Sequence, residues 1–223
     1  MTLTVKICGL SEEKTLEAAV AGGADMVGFV FHPASPRNIG VAVASGLRDK
    51  VGRRAEVVAL TVNAGDGDLD EIVARVRPDW LQLHGSESAD RIRELKARYA
   101  LRIMKAIPVR GRNDLDAVEP YRGVADLVLF DAKPPIGAIL PGGNGVPFNW
   151  RLLRGVEVGM PFMVSGGLDP ANVAEAIATT APFGVDVSSG VETSPGRKDV
   201  DLIGAFIATA RMASFQNSTR GAA

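Results

Sequence analysis

Asp25-Met26-Val27-Gly28-Phe29-Val30-Phe31 decides the fold: an aspartate, then six residues apolar on both alternating faces, then a loop. A strand apolar on both faces belongs to a parallel sheet whose faces are both covered. The same phrase returns as Asp79-Trp80-Leu81-Gln82-Leu83 and as Asp126-Leu127-Val128-Leu129-Phe130. Apolar runs at residues 3–7, 57–62 and 101–107 fall before each of these, and two more, at 161–164 and 183–187, follow. The aspartate therefore marks every second strand of the first six.

Helical patterns fill the intervals. Ser11 offers an N-cap for a helix to about residue 20, with Glu12 and Glu13 in its first turn. Further helices are predicted over 42–51, 69–76, 87–99, 113–121, a short one opened by Phe148-Asn149-Trp150, 170–179 and 200–212. The alternating charges of 87–99 mark a solvated outer face. Eight strands alternating with eight helices, with a period-two echo, suit a closed (β/α)8 TIM barrel better than an open doubly wound sheet, which the spacing alone leaves open. Residues 1–213 are expected to form one barrel domain, and the small, polar stretch 214–223 reads as a flexible tail.

Composition narrows the function. Of 223 residues, 46% are hydrophobic and 23% charged, enough for one large core. Twenty-five basic and 26 acidic residues give a net charge of -1, without the basic footprint of a nucleic-acid or membrane-surface binder. One cysteine and two histidines supply neither a disulfide nor a structural zinc site. The first residues lack the basic and apolar regions of a signal peptide, and no uncharged apolar run approaches the ~20 residues of a membrane helix. These features predict a soluble, cytoplasmic protein with no metal.

In a barrel, chemistry belongs at the C-terminal ends of the strands. Those ends carry Cys8, Arg37, Asn63, His84, Lys105, Asp131, Ser165-Gly166-Gly167 and Ser188-Ser189-Gly190. Glycine-rich turns after the adjacent seventh and eighth strands present backbone N–H groups as a phosphate cradle, so the expected partner is a small phosphorylated molecule. Asp131 ends an apolar strand, where a carboxylate must be solvated, catalytic or paired, Lys133 being the nearest cation. Cys8 lies across the barrel from it. A base on one side and an acid on the other can move protons on a molecule held between them. Lys6 shares a strand face with Cys8.

The combination of Lys6-Ile7-Cys8-Gly9, Gly28-Phe29-Val30-Phe31, Ser35-Pro36-Arg37, Gln82-Leu83-His84-Gly85, Pro141-Gly142-Gly143-Asn144-Gly145, Ser165-Gly166-Gly167-Leu168 and Val185-Asp186-Val187-Ser188-Ser189-Gly190-Val191-Glu192 resembles the phosphoribosylanthranilate isomerases of tryptophan biosynthesis. The resemblance implies an Amadori rearrangement without cofactor. Asp131 is then the general acid that opens the furanose ring, and Cys8, as thiolate, the base that removes the C2 proton. Arg37 matches the arginine for the anthranilate carboxylate, a task suited to a two-donor fork. Asp186 and His84 match positioning residues, and Gly166, Gly167, Ser188, Ser189 and Gly190 the phosphate site. The family commonly has Phe-Asp-Trp where this chain has Phe148-Asn149-Trp150, and a polar pair at Val146-Pro147; an Asn still caps a helix.

Rival readings are another phosphosugar isomerase or aldolase on the same scaffold, a barrel that binds a phosphosugar without turning it over, and a thiol-redox or covalent-cysteine enzyme. The histidine-pathway isomerase has a carboxylate where this chain has Cys8, and a redox enzyme needs a resolving cysteine that the chain lacks. As an assembly the chain is expected to be a monomer or a homodimer.

Overall fold

The computed structural model describes residues 3–133 and 148–220, the side chains of 217–220 excepted. Eight parallel strands close a barrel in sequence order: β1 (Thr4–Cys8), β2 (Met26–Phe31), β3 (Glu56–Thr61), β4 (Trp80–Leu83), β5 (Arg102–Val109), β6 (Leu127–Ala132), β7 (Phe162–Val164) and β8 (Gly184–Val187), with β8 pairing back to β1. The open sheet is excluded. A two-stranded antiparallel hairpin, β9 (Glu192–Ser194) and β10 (Arg197–Lys198), follows β8 and has no counterpart in the sequence reading.

Around the barrel lie α1 (Glu13–Ala21), α2 (Val41–Val51), α3 (Asp66–Val76), α4 (Ala89–Tyr99), α5 (Val173–Thr180) and α6 (Val200–Arg220). The β5–β6 connection is a 3-10 helix, Arg112–Tyr121, and a shorter one, Trp150–Leu153, precedes β7. Pro120 inside the first of these cannot supply an α-helical hydrogen bond, which the residue count alone did not weigh. Asn149 caps the second, accepting from the Arg151 N–H at 3.1 Å, so the exchange of Asp for Asn leaves the cap intact.

Two boundaries are corrected. Helix α4 starts at Ala89 with Ser88 as its cap, so Glu87 lies outside it and is buried rather than part of a solvated face. Helix α6 continues to Arg220, through the stretch read as tail, because nothing between Ser214 and Arg220 breaks a helix. The 141–145 motif and Val146-Pro147 lie outside the described residues. Among the described residues, no helix is long and apolar enough to cross a membrane.

The recurring aspartates close the lower rim. Asp25, Asp79 and Asp126 each accept the backbone N–H of the preceding strand, from Val5, Val57 and Ile103, at 2.7, 2.7 and 2.8 Å. Their own N–H groups donate back to the same three residues. Inside the barrel, Met26, Val58, Trp80, Met104, Leu127, Leu129 and Met163 form an apolar plug. Above it Cys8, Val30 and Leu60 form a thin apolar layer, and the mouth opens over them.

Candidate active site

Strand alternation sets the first side chains. Val5 and Ile7 pack outward in the main core, so Lys6 and Cys8 point inward, as their spacing predicts. Lys6 is fully buried and pairs with Asp186 of β8 at 2.9 Å. Ser165 Oγ donates to the other Asp186 oxygen at 3.4 Å. Burial alone would lower the Lys6 pKa, but the charges of Asp186 and of a Cys8 thiolate, with hydrogen bonds to both, hold it above its ordinary value.

Gly28 makes this arrangement possible. A Cβ at that position on β2 would stand 2.9 Å from Cys8 Sγ, 3.2 Å from the Cys8 Cα and 3.3 Å from Lys6 Nζ, so it would push on both side chains. Burial pushes the Cys8 thiol above its ordinary value; Lys6 and Lys198 pull it down and Asp186 pushes it further up. The cations that a thiolate requires are present, but burial outweighs them.

Asp131 ends the inward face of β6, nearly buried, and lines the same pocket as Cys8. Its Oδ1 accepts the Ala132 N–H at 2.9 Å and its Oδ2 lies 3.1 Å from His84 Nε2. Lys133 is not its partner: that side chain pairs with Asp114 at 3.1 Å. The loop carrying His84 is stapled from outside the barrel. Lys105 donates to the carbonyls of Leu83 and Gly85 and pairs with Glu87 at 3.0 Å, while Glu87 accepts N–H groups from Asn63 and Gly85. Burial lowers the Lys105 pKa, with Glu87 opposing. Lys105 and Asn63 thus serve the loop and stay out of the pocket.

The two glycine turns meet at the mouth. Gly166 and Gly167 both have positive φ, +79° and +69°. A Cβ on Gly166 would fall 2.3 Å from the Ala132 nitrogen and 2.9 Å from Asp131 Oδ1, so only glycine lets this turn approach the carboxylate. Gly166, Gly167, Ser188 and Ser189 line the pocket. Gly190 does not: it packs behind the turn against the Leu168 carbonyl. Ser188 Oγ donates to the Cys8 carbonyl at 3.2 Å, tying β8 to β1.

Arg37 lines the pocket but is bound sideways. Its Nε and Nη2 donate to the two oxygens of Glu192 at 2.8 and 2.9 Å, so the fork expected for a substrate carboxylate is engaged by the hairpin. Lys198 pairs with the same carboxylate at 2.7 Å and donates to the Ser188 carbonyl. Burial would raise the Glu192 pKa, but the Arg37 hydrogen bond and Lys198 hold it below the usual glutamate range. Sequence reasoning missed Lys198, Glu87 and Gln82. For Gln82 a signal existed, a polar residue on the inward face of an otherwise apolar strand; Lys198 carries none.

Comparison with known proteins agrees with this geometry. The family described as N-(5'-phosphoribosyl)anthranilate (PRA) isomerase matches residues 5–209. The N-(5'-phosphoribosyl)anthranilate isomerase of Rhodopseudomonas palustris is 57% identical over 213 residues, covering 96% of this chain and 100% of the relative. That of a Chelativorans species is 52% identical, covering 96% and 98%. Among solved structures, the Thermotoga maritima enzyme superposes with a TM-score of 0.86 at 34% identity, covering 95% of this chain and 100% of the other. A phosphoribosylanthranilate isomerase in complex with reduced 1-(o-carboxyphenylamino)-1-deoxyribulose 5-phosphate gives a TM-score of 0.81 at 32% identity, with the same coverage.

Proposed function

The chain belongs to the N-(5'-phosphoribosyl)anthranilate isomerase family, and from that premise we propose that it converts N-(5'-phosphoribosyl)anthranilate to 1-(o-carboxyphenylamino)-1-deoxyribulose 5-phosphate by general acid–base catalysis, a step of tryptophan biosynthesis. The observation that carries the reading is that Cys8, Asp131 and the turns after β7 and β8 line one pocket. With the phosphate against Gly166, Gly167, Ser188 and Ser189, the sugar lies over the barrel axis, between the sulfur and the carboxyl group.

The steps balance without an external reactant. Asp131, carrying a proton, gives it to the ring oxygen; the C1–O bond breaks toward oxygen and nitrogen supplies the pair that forms the C1=N iminium. Cys8 thiolate takes the C2 proton, and the C–H electrons form the C1=C2 bond of the enolamine as the iminium collapses. On ketonisation the enol hydroxyl releases a proton, which restores Asp131, and Cys8 returns its proton to C1. The substrate's nitrogen is the electron sink. The iminium charge favours the thiolate at the moment it is needed, in concert with Lys6 and Lys198. Arg37 supplies positive charge for the anthranilate carboxylate, and the positions of its donors are set by Glu192.

Purified protein supplied with N-(5'-phosphoribosyl)anthranilate is expected to consume it, and Cys8→Ser and Asp131→Asn to lose at least two orders of magnitude in kcat. Absence of turnover by the wild type, or near-normal kcat in both folded variants, refutes the assignment.

A further inference from the structure

Strand alternation carries one more side chain into the mouth. Met26, Gly28 and Val30 face inward from β2, and His32 continues that face one residue past the end of the strand. On β3 the same alternation brings in Leu60 and then Val62, so His32 and Val62 stand one layer above Val30 and Leu60, which pair in register. His32 is half-buried, and among the described residues its ring makes no hydrogen bond or ion pair. Its backbone, in contrast, is fixed. The Ser35 N–H donates to the His32 carbonyl at 2.8 Å and the Arg37 N–H donates to Ser35 Oγ at 3.2 Å, so one braced turn carries both His32 and Arg37.

The shape of the substrate gives this wall its occupant. With the phosphate against the turns after β7 and β8, Cys8 of β1 faces C2 and Asp131 of β6 faces the ring oxygen. On β4, Gln82 and His84 are engaged with each other and with Asp131. The aromatic amine lies at the end of the molecule away from the phosphate, and the wall left for it is that of β2 and β3. Val30, Leu60 and Val62 make this wall apolar, and Arg37 stands at its edge for the carboxylate beside the nitrogen. Among the described residues that line the pocket there is no Phe, Tyr or Trp, and the rings are those of the two histidines. His84 has both nitrogens occupied by neighbours, which leaves the ring of His32.

We propose that His32 is a specificity-determining residue that packs its ring against the aromatic amine of the substrate, while that amine rests on Val30, Leu60 and Val62 with its carboxylate toward Arg37. The inference rests on the substrate given under the proposed function, and it says why an aryl amine is selected. A flat ring gains contact on both faces, and an amine without a ring gains neither. No hydrogen bond of His32 has to be broken to make the contact, and the braced turn holds the ring in place beforehand. The bonds that change lie at C1, C2 and the ring oxygen, so the contact is the same in the ground state and the transition state. Such uniform binding lowers KM and leaves kcat alone.

Steady-state kinetics and equilibrium binding test this together. His32→Ala should raise KM about five- to tenfold, with kcat within about twofold of the wild type. His32→Phe should restore KM, and His32→Asn, polar but without a ring, should not. Anthranilate and inorganic phosphate, titrated separately by calorimetry, report the two ends of the site without turnover. Anthranilate affinity should fall in His32→Ala and His32→Asn and recover in His32→Phe, with phosphate affinity unchanged in all three. Unchanged KM and anthranilate affinity in His32→Ala, or rescue by Asn as full as by Phe, overturns the proposal. Equal losses for both probes overturn it too, because they report a displaced loop and not a lost ring contact. A wild type that shows the predicted anthranilate pattern yet fails to turn over N-(5'-phosphoribosyl)anthranilate refutes the assigned reaction and leaves the ring contact standing.

Discussion

Cys8 is decided by a balance between burial and two lysines. Burial wins, and the thiol is held above its ordinary value of 9.0. As the only cysteine of the chain, it can be titrated by its rate of alkylation with iodoacetamide. That rate is expected to stay low at neutral pH and to rise only above 9.0, the ordinary value. Replacing Lys6 with Met removes a charge that lowers the thiol pKa, so the rise should move to still higher pH. Asp186→Asn removes one that raises it, and the rise should move down. A wild-type transition below 9.0, or a Lys6→Met profile that coincides with it, contradicts this electrostatic account. The same Lys6 was visible in the sequence only as a charge sharing a face with the sulfur; its pairing with Asp186, 180 residues away, arises from barrel closure between β1 and β8.

At the scale of elements, the fold separates stabilising devices from chemical ones. The three aspartates stitch strands in pairs at the lower rim, β1 to β2, β3 to β4 and β5 to β6, while the substrate groups lie at the opposite ends of the strands. Asp126→Ala leaves the Ile103 N–H without its acceptor and removes the Lys96 partner. A loss of about 1–3 kcal/mol is expected from urea unfolding, with kcat and KM unchanged. An unshifted midpoint would show that the rim contacts are replaceable by water. The β9–β10 hairpin works at the other end. Through Glu192 it holds Arg37 and Lys198 in place around the mouth, and both cations are buried with it. The depressed Glu192 pKa gives this anchor a pH window: it is complete above about pH 4.5, the ordinary glutamate value, and fades as acidity protonates the folded carboxylate.

For the molecule as a whole, the barrel was legible because its strands are apolar on both faces and because Asp25, Asp79 and Asp126 recur at alternate entries. The addresses of Cys8, Asp131 and the two glycine turns followed from strand ends alone. What stayed hidden depended on pairs distant in sequence. Glu87 looked like one charge among many on an exposed helix, yet closing of the β4 loop over Lys105 buries it. Arg37 was read for its fork, and the hairpin that takes up the fork left no periodic trace. Gly190 belonged to a phosphate motif by its neighbours, while packing against Leu168 places it behind the turn. Strand ends, in short, are local facts, and side-chain partners are not.

The central claim is a division of labour, with Asp131 acting on the ring oxygen and Cys8 on C2. It is tested most directly by single-turnover kinetics with substrate deuterated at C2. If Cys8 removes that proton, crippling the base makes C–H cleavage limiting, so Cys8→Ser should show a primary isotope effect of several-fold. In Asp131→Asn ring opening should limit, and the effect should fall to about one. The reverse pattern, or no isotope effect in Cys8→Ser, would contradict the account.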